Sequence, residues 1–287
     1  MKFTKLHGAG NDFIVVDARD VDARNGARDW SKLAIDMCDR HLGIGADGLL
    51  TVNTSEVAAL RMGLYNSDGS EAELSGNGIR CFVKYAVDRS LVNVDERVVT
   101  VETLAGVIRT EVHLEDGKVT SARVNMGRPR FAPQEIPIAL KAEPPLTDVA
   151  LELKDRSLSV TCLSMGNPHA VHLSDEPIAA FPLEAIGPQV EHHALFPQRT
   201  NFSIAHVRSR TQIEARTWER GVGPTLACGS GSSAVIVAAH LAGLVDDEVA
   251  IHVPGGVLQL VWDGQGEVSL SGPVVEVFEG EWPTLSS

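Results

Sequence analysis

The chain repeats itself, and that repeat limits its fold more than any other feature of the sequence. Residues 70–82 read SEAELSGNGIRCF and residues 223–235 read GPTLACGSGSSAV, so Ser75-Gly76-Asn77-Gly78 answers to Cys228-Gly229-Ser230-Gly231 at an offset of 153 residues. Four further landmarks keep the order. Gly10-Asn11 matches Gly166-Asn167 at 156, Ala105-Gly106 matches Gly255-Gly256 at 150, the Asp116-Gly117 turn matches Asp263-Gly264, and the ends RVNMG and VSLSG stand 145 apart. An offset drifting this slowly is what a duplicated domain with small loop changes produces. The 287 residues, 44% apolar and 22% charged, suffice for two cores of ordinary domain size.

Each copy carries the same coarse elements. After Gly78, the apolar residues Ile79, Phe82, Val83, Ala86 and Val87 recur at helical spacing, so a helix with one buried face begins at the Gly-Asn-Gly turn. In the second copy the run AVIVAAHLAGL, Ala234 to Leu244, is apolar on nearly every side, which predicts a helix wrapped by other structure. Alternating or β-branched stretches surround both helices: RVVTVET, GVIRTEV, VAIHVP and VLQLVW, separated by Gly and Asp-Gly turns. Each half reads as a curved sheet around a central helix. The proline- and alanine-rich stretch from about Phe131 to Thr147 reads as the connection between them.

The two helix starts are the candidate chemistry. Unpaired N–H groups and the positive dipole end attract a carboxylate and lower the pKa of a thiol placed there, the position of Cys228. Gly229, Ser230 and Gly231 leave the backbone open to a ligand and add a hydroxyl. A plain capping turn around a small buried cysteine is the competing account, and the repetition weighs against it. A phosphate loop would need a following Lys or a six-residue glycine fingerprint, and neither run has one. Asn11, Asn66, Asn167, His169, Asn201 and Glu219-Arg220 add polar groups among turn glycines. Asn66 and Glu219 lie 153 residues apart, just ahead of the two helix starts. Arg220 is the cation of this set, suited to grip a carboxylate through two parallel bonds.

Composition narrows the partners. A net charge of −13 argues against nucleic acid or an anionic membrane, since such binding needs a basic surface. The amino terminus has no apolar core of signal-peptide length, and no stretch approaches the roughly 18 apolar residues of a membrane span, so a cytoplasmic location is expected. Cys38, Cys81, Cys162 and Cys228 show no C-x-x-C pairing, and neither a disulfide framework nor a metal site is expected. A long edge strand in each half leaves room for a homodimer.

Together, HGAGNDFIVVD, DRHLGIGADG, NSDGSEAELSGNGIRC, SMGNPH and ERGVGPTLACGSG make the chain resemble the diaminopimelate epimerase family over nearly its whole length. The resemblance implies an α+β fold of two pseudo-symmetric domains, each a curved, mostly antiparallel sheet or barrel wrapped around a central helix. It places the domains at 1–125, with a C-terminal strand about 273–287, and at 126–272. It implies inversion of one α-carbon between LL- and meso-diaminopimelate, for lysine and cell-wall synthesis, with neither pyridoxal phosphate nor metal as cofactor. None of the seven lysines lies in these motifs, so no Schiff base is indicated. By the same resemblance Cys228 is one of two opposed acid/base groups. Asn11, Asn66, Asn167, Asn201, Glu219 and Arg220 bind substrate, Gly76-Asn77 and Gly229-Ser230 give backbone contacts, and His169 and Glu219 tune the thiols.

One departure matters. Where the family carries its first catalytic cysteine this chain has Ser75, and Cys81, about one and two-thirds helical turns further on, is no substitute. A hydroxyl is a far weaker acid than a thiol of pKa about 8.5. Pro224 also stands where many relatives carry an acidic residue. Three readings stay open: a diaminopimelate epimerase with serine at one face, a one-base isomerase or eliminase acting on another amino acid, and a ligand-binding relative.

Overall fold

A computed structural model of the chain describes residues 1–19, 28–94 and 97–283, and the duplication is written into its strand pairing. Two compact units emerge, Met1–Val124 with Gly272–Ser287, and Asn125–Ser271. The first contains β1 (Lys2–Gly8), β2 (Asn11–Asp17), α1 (Trp30–Cys38), β3 (Gly48–Asn53), β4 (Leu60–Asn66), α2 (Gly76–Asp88), β5 (Val98–Thr103), β6 (Gly106–Glu115) and β7 (Lys118–Asn125). The second contains β8 (Leu146–Glu152), β9 (Ser157–Ser164), β10 (Pro168–Ser174), α3 (Leu183–Glu191), β11 (Asn201–Ser209), β12 (Gln212–Glu219), β13 (Gly223–Thr225), α4 (Gly229–Leu241), β14 (Glu248–Val253), β15 (Gly256–Val261) and β16 (Ser269–Pro273). The last strand, β17 (Val275–Glu281), returns to the first unit beside β1.

Neighbour by neighbour from β1 to β6, the pairings run antiparallel, parallel, antiparallel, parallel, antiparallel. From β9 through β10, β11, β12 and β14 to β15 they run in the same sequence. The final partners, β7 on β6 and β16 on β15, are antiparallel in both units, and β17 beside β1 is matched by β8 beside β9. β13, a short hairpin partner of β12, is matched in the first unit by a single antiparallel bridge from Tyr65 to Glu71. Each unit is therefore mostly antiparallel, with its two parallel joints at the places where a helix intervenes in the chain.

The central helices are enclosed by their sheets. In the first unit α2 packs against β1, β2, β3, β4 and β6, and in the second α4 packs against β9, β10, β11, β12 and β15. Every residue of α4 from Gly231 to Ala239 is buried, as its all-round apolar run predicts. The other face of each sheet carries a second helix. Leu33, Ala34 and Met37 of α1 meet Ile14, Val16 and Leu49, while Leu183, Ile186 and Val190 of α3 meet Phe202, Ile204 and Val160. Strands covered on both faces are buried at successive positions, as Phe13–Val16 and Leu49–Val52 are.

The stretch from 131 to 147 differs from its expected role as a bare connection. Ile136 and Ile138 are buried in the core of the second unit beside Leu183 and Phe196. Prolines supply the turns there, but the isoleucines between them bring enough apolar surface to dock the segment.

Gly187 shows how closely α3 is set against its sheet. A Cβ added there would stand 2.4 Å from Trp218 Cδ2. Alanine ordinarily gains about 1 kcal/mol over glycine inside a helix, but overpacking costs about 1–3 kcal/mol. We therefore expect Gly187→Ala to destabilise the chain in denaturant unfolding despite its better helix propensity. A stabilised variant would show that Trp218 yields freely.

Candidate active site

In the first unit the site grows from the start of α2. Ser75 is the N-cap, with extended backbone angles, and its Oγ accepts from Gly78 N–H at 3.0 Å. Gly76 and Asn77 are buried in the first turn. Asn77 Nδ2 donates to Asn11 Oδ1 at 3.0 Å, and Asn11 Nδ2 donates to Asp47 Oδ2 at 2.6 Å. Behind these amides lies a charged network that the sequence did not single out. Asp12 is bound by Lys5 at 2.6 Å and by Arg40 at 2.8 Å, and Arg40 also holds Asp47 at 2.8 Å. Burial alone would raise the Asp12 carboxyl, but the bonds from Arg40 and Lys5 prevail and hold it at about 2. The motif DRHLGIGADG thus acts by supplying Arg40 and Asp47 to fix Asn11. Asn66, at the end of β4, is exposed and donates to Ser70 Oγ at 2.9 Å.

In the second unit Cys228 takes the role that Ser75 takes in the first. It is the N-cap of α4, with similar backbone angles, and Gly231 N–H donates to its Sγ at 3.4 Å. Ser230 Oγ lies 3.6 Å from the sulfur. The thiol pKa moves opposite to the expectation for a helix start. Burial pushes it up, the Glu219 carboxylate adds to the rise by charge and hydrogen bond, and the bonds from Ser230 and Gly231 recover only part. The resting group is a thiol because its surroundings are dry. Thr225 Oγ1 donates to Glu219 Oε1 at 2.6 Å, which fixes that carboxylate.

Around this thiol the polar residues hold one another. His169 is wholly buried, and burial, then the charge of Arg220, lower its pKa to about 3, so the ring is neutral. Its Nε2 donates to Asn167 Oδ1 at 2.9 Å, and its Nδ1 is buried with no partner among the described residues. Asn167 Nδ2 reaches Ser230 Oγ at 3.4 Å. Asn201 is buried and spends its amide on the protein, donating to Pro168 O at 2.9 Å and accepting from Arg220 N–H at 2.9 Å. Arg220 itself is exposed, its Nη1 on Gln198 O at 3.0 Å. Glu191, absent from the sequence reading, ties this corner down by accepting from Trp218 Nε1 at 2.7 Å and Gly221 N–H at 2.9 Å.

Strand register makes the two half-sites equivalent. Phe13 on β2 pairs with Gly48, and Gly48 with Asn66. His169 on β10 pairs with Asn201, whose neighbour Phe202 pairs with Trp218, next to Glu219. The row Phe13, Gly48, Asn66 thus corresponds to His169, Asn201, Glu219, with Asn11 and Asn167 each two residues before its row. This is the Asn66 and Glu219 correspondence expected from the repeat. No group of three or more His, Cys, Asp or Glu among the described residues is arranged to hold a metal ion. No helix among them is long and apolar enough to cross a membrane.

Comparison with known proteins follows the same lines. The family profile described as diaminopimelate epimerase matches residues 3–132 and 161–277. The diaminopimelate epimerase of Acetivibrio thermocellus is 45% identical over 282 residues, covering 98% of each chain, and that of Moorella thermoacetica is 44% identical over 284 residues, covering 99% of each. Among solved structures, a probable proline racemase from Agrobacterium radiobacter K84 superposes with a TM-score of 0.69 at 15% identity, over 99% of this chain and 93% of that one. A hydroxyproline epimerase from Agrobacterium vitis gives 0.70 at 14%, over 98% and 91%. At such identities these two structures share the fold.

Two outcomes follow from the charges. The Asp12 pKa is depressed below its unfolded value of about 3.9, so its contribution to stability is present above that pH and lost as pH falls towards 2. Asp12→Asn should therefore be less stable than the parent at pH 7, with the gap closing between about pH 4 and pH 2 in unfolding titrations; a pH-independent gap would refute this account. For Cys228, alkylation by iodoacetamide should be slow at neutral pH and rise only in alkaline solution. Glu219→Gln should move that profile towards neutral pH, and an unmoved profile would remove the carboxylate from the explanation.

Proposed function

The chain belongs to the diaminopimelate epimerase family, and from that premise we propose that it interconverts LL- and meso-diaminopimelate by two-base proton transfer, in lysine and peptidoglycan synthesis, with neither pyridoxal phosphate nor metal. Inversion needs one group to take the α-proton from one face and another to deliver a proton to the opposite face. The observation that carries this reading is the equivalence of Ser75 and Cys228, each capping a buried helix through the same bond to the third residue of its turn.

In this reading each unit is one epimerase half and contributes one of the two proton-transfer groups. Cys228 starts as a thiol, able to deliver a proton. It becomes a base by passing its own proton to Glu219, the carboxylate hydrogen-bonded to it. The N–H groups of the glycine turns take the α-carboxylate and the negative charge that grows on it as the proton leaves. Arg220, with its exposed guanidinium, and Asn66 read the distal amino-acid group, while Asn11, Asn77, Asn167 and Asn201 complete the polar lining. His169 stays neutral beside Asn167 and sets that amide. We read the chain further as a cytoplasmic enzyme that works as a homodimer and binds no nucleic acid.

Ser75 favours a second reading, a one-base isomerase or eliminase acting on another amino acid, because a hydroxyl delivers a proton poorly. Proton NMR in deuterated water decides between them. With LL- and meso-diaminopimelate, the chain should exchange the α-proton of one stereoisomer faster than it inverts either. Ser75→Cys should raise inversion by on the order of 10²-fold, the scale of one positioned acid/base group, and Cys228→Ala should abolish both processes. Inversion that Ser75→Cys leaves unchanged would make serine a competent acid, and absence of any exchange would end the epimerase reading.

A further inference from the structure

Arg80 lies in the second turn of α2, and none of its surface is exposed. Its side chain turns back to the start of the helix. Nη1 donates to Gly76 O at 3.2 Å and Nη2 to Asn77 Oδ1 at 2.7 Å, while the buried Nε has no partner. No carboxylate among the described residues pairs with this cation. Asp12 is taken by Lys5 and Arg40, and Asp88 by Lys84. Room for the guanidinium comes from Gly8 on β1, where a Cβ would stand 3.1 Å from Nη2. The other titratable group against it is Cys81, wholly buried and pushed up to about 12, hence neutral. Burial lowers the guanidinium to about 10, which leaves it charged at neutral pH.

This arrangement is expensive in three ways. A buried charge without a counter-charge is costly, a cation at the positive end of a helix is unfavourable, and a buried donor is left bare. Clasping Gly76 and Asn77 needs two donors and no charge. We propose that Arg80 is a positioning residue of the first half-site, whose unmatched charge keeps the opening turn of α2 electropositive for the substrate's α-carboxylate. Its bond to Asn77 also sets the amide that holds Asn11. The proposal rests on the epimerase reading for its ligand, but its electrostatic part can be read without substrate.

The reporter is a thiol placed at the cap by Ser75→Cys in a full-length chain that also carries Cys228→Ala. Its ionisation is followed by absorbance at 240 nm and by iodoacetamide alkylation across pH. Arg80→Gln should raise the midpoint by about one pH unit, tenfold less thiolate at a given pH, and Arg80→Lys should restore it. In the Ser75→Cys chain with Cys228 intact, Arg80→Gln should lower kcat/KM for diaminopimelate at least tenfold, again with rescue by lysine. An unchanged midpoint, or no rescue by lysine, overturns the proposal and leaves Arg80 a clasp. A shifted midpoint in a chain that never turns over diaminopimelate keeps Arg80 and refutes the epimerase reading instead. If Arg80→Gln does not fold, Asn77→Asp gives the guanidinium its missing carboxylate. The midpoint should then rise, and an unmoved midpoint overturns the proposal equally.

Discussion

Enclosing a helix inside a sheet creates a problem at its amino end, and much of this structure answers it. The first turns of α2 and α4 carry N–H groups with no partner inside the helix, and the strands around them remove most of the water. One donor in each is met by the cap, Ser75 or Cys228. The turns that carry the others are built on glycine. A Cβ on Gly78 would stand 3.1 Å from Ser75 Cβ, and one on Gly231 would stand 2.9 Å from Thr217 Oγ1 and 3.2 Å from Cys228 Cβ. Glycine there keeps side chains off the donors and off the capping atom, so a fold that buries its helices yields concentrated polarity at their starts.

The two units fasten these starts by different means on one scaffold. In the first, the amides that reach the turn are tied to ions: Asn11 to Asp47, and Asp47 to Arg40, which shares Asp12 with Lys5. In the second the fastening is mostly neutral. Asn201 bridges two backbone groups, His169 holds Asn167, and the carboxylate of Glu191 secures the turn after Glu219 through Trp218 and Gly221. Duplication fixed the strand order and the row of side chains around each helix, and later substitution altered what occupies them. His169 stands where Phe13 stands, and Glu219 where Asn66 stands, which puts a hydrogen-bonded carboxylate beside the second cap.

What could be read from the sequence was what repeats. The glycine turns, the all-round apolar helix and the Asn66 and Glu219 correspondence follow from order and periodicity, both local properties of a string. What could not be read depended on burial. The dipole argument alone gave the wrong direction for the Cys228 thiol, because desolvation is set by the strands packed around α4 and not by the residues near the thiol in sequence. Ile136 and Ile138 were hidden among prolines, and their burial depends on α3, some 50 residues away. Arg80 is one of two cations in α2, with Lys84, and nothing in the string sets it apart. Only its enclosure against Gly8, with Asp12 already committed elsewhere, makes its charge conspicuous.

The cap position itself sets stability against chemistry. An oxygen is a better acceptor than sulfur for a backbone N–H, and serine ranks among the preferred caps; the bond is 3.0 Å at Ser75 against 3.4 Å at Cys228. A thiol gives up some of that capping strength and in return carries a proton far more easily moved than that of a hydroxyl. At Ser75 the chain has the stronger cap and the weaker acid, so the hydroxyl's structural role is complete without any part in proton transfer. If capping were all that position served, however, nothing would require the turn behind it to keep an unmatched guanidinium, whose burial works against the stability the serine provides. The two features favour opposite ends of that compromise. They are reconciled if the first half-site still binds an anion, so that the helix start is held positive for a ligand and the serine limits only how fast a proton crosses from that face.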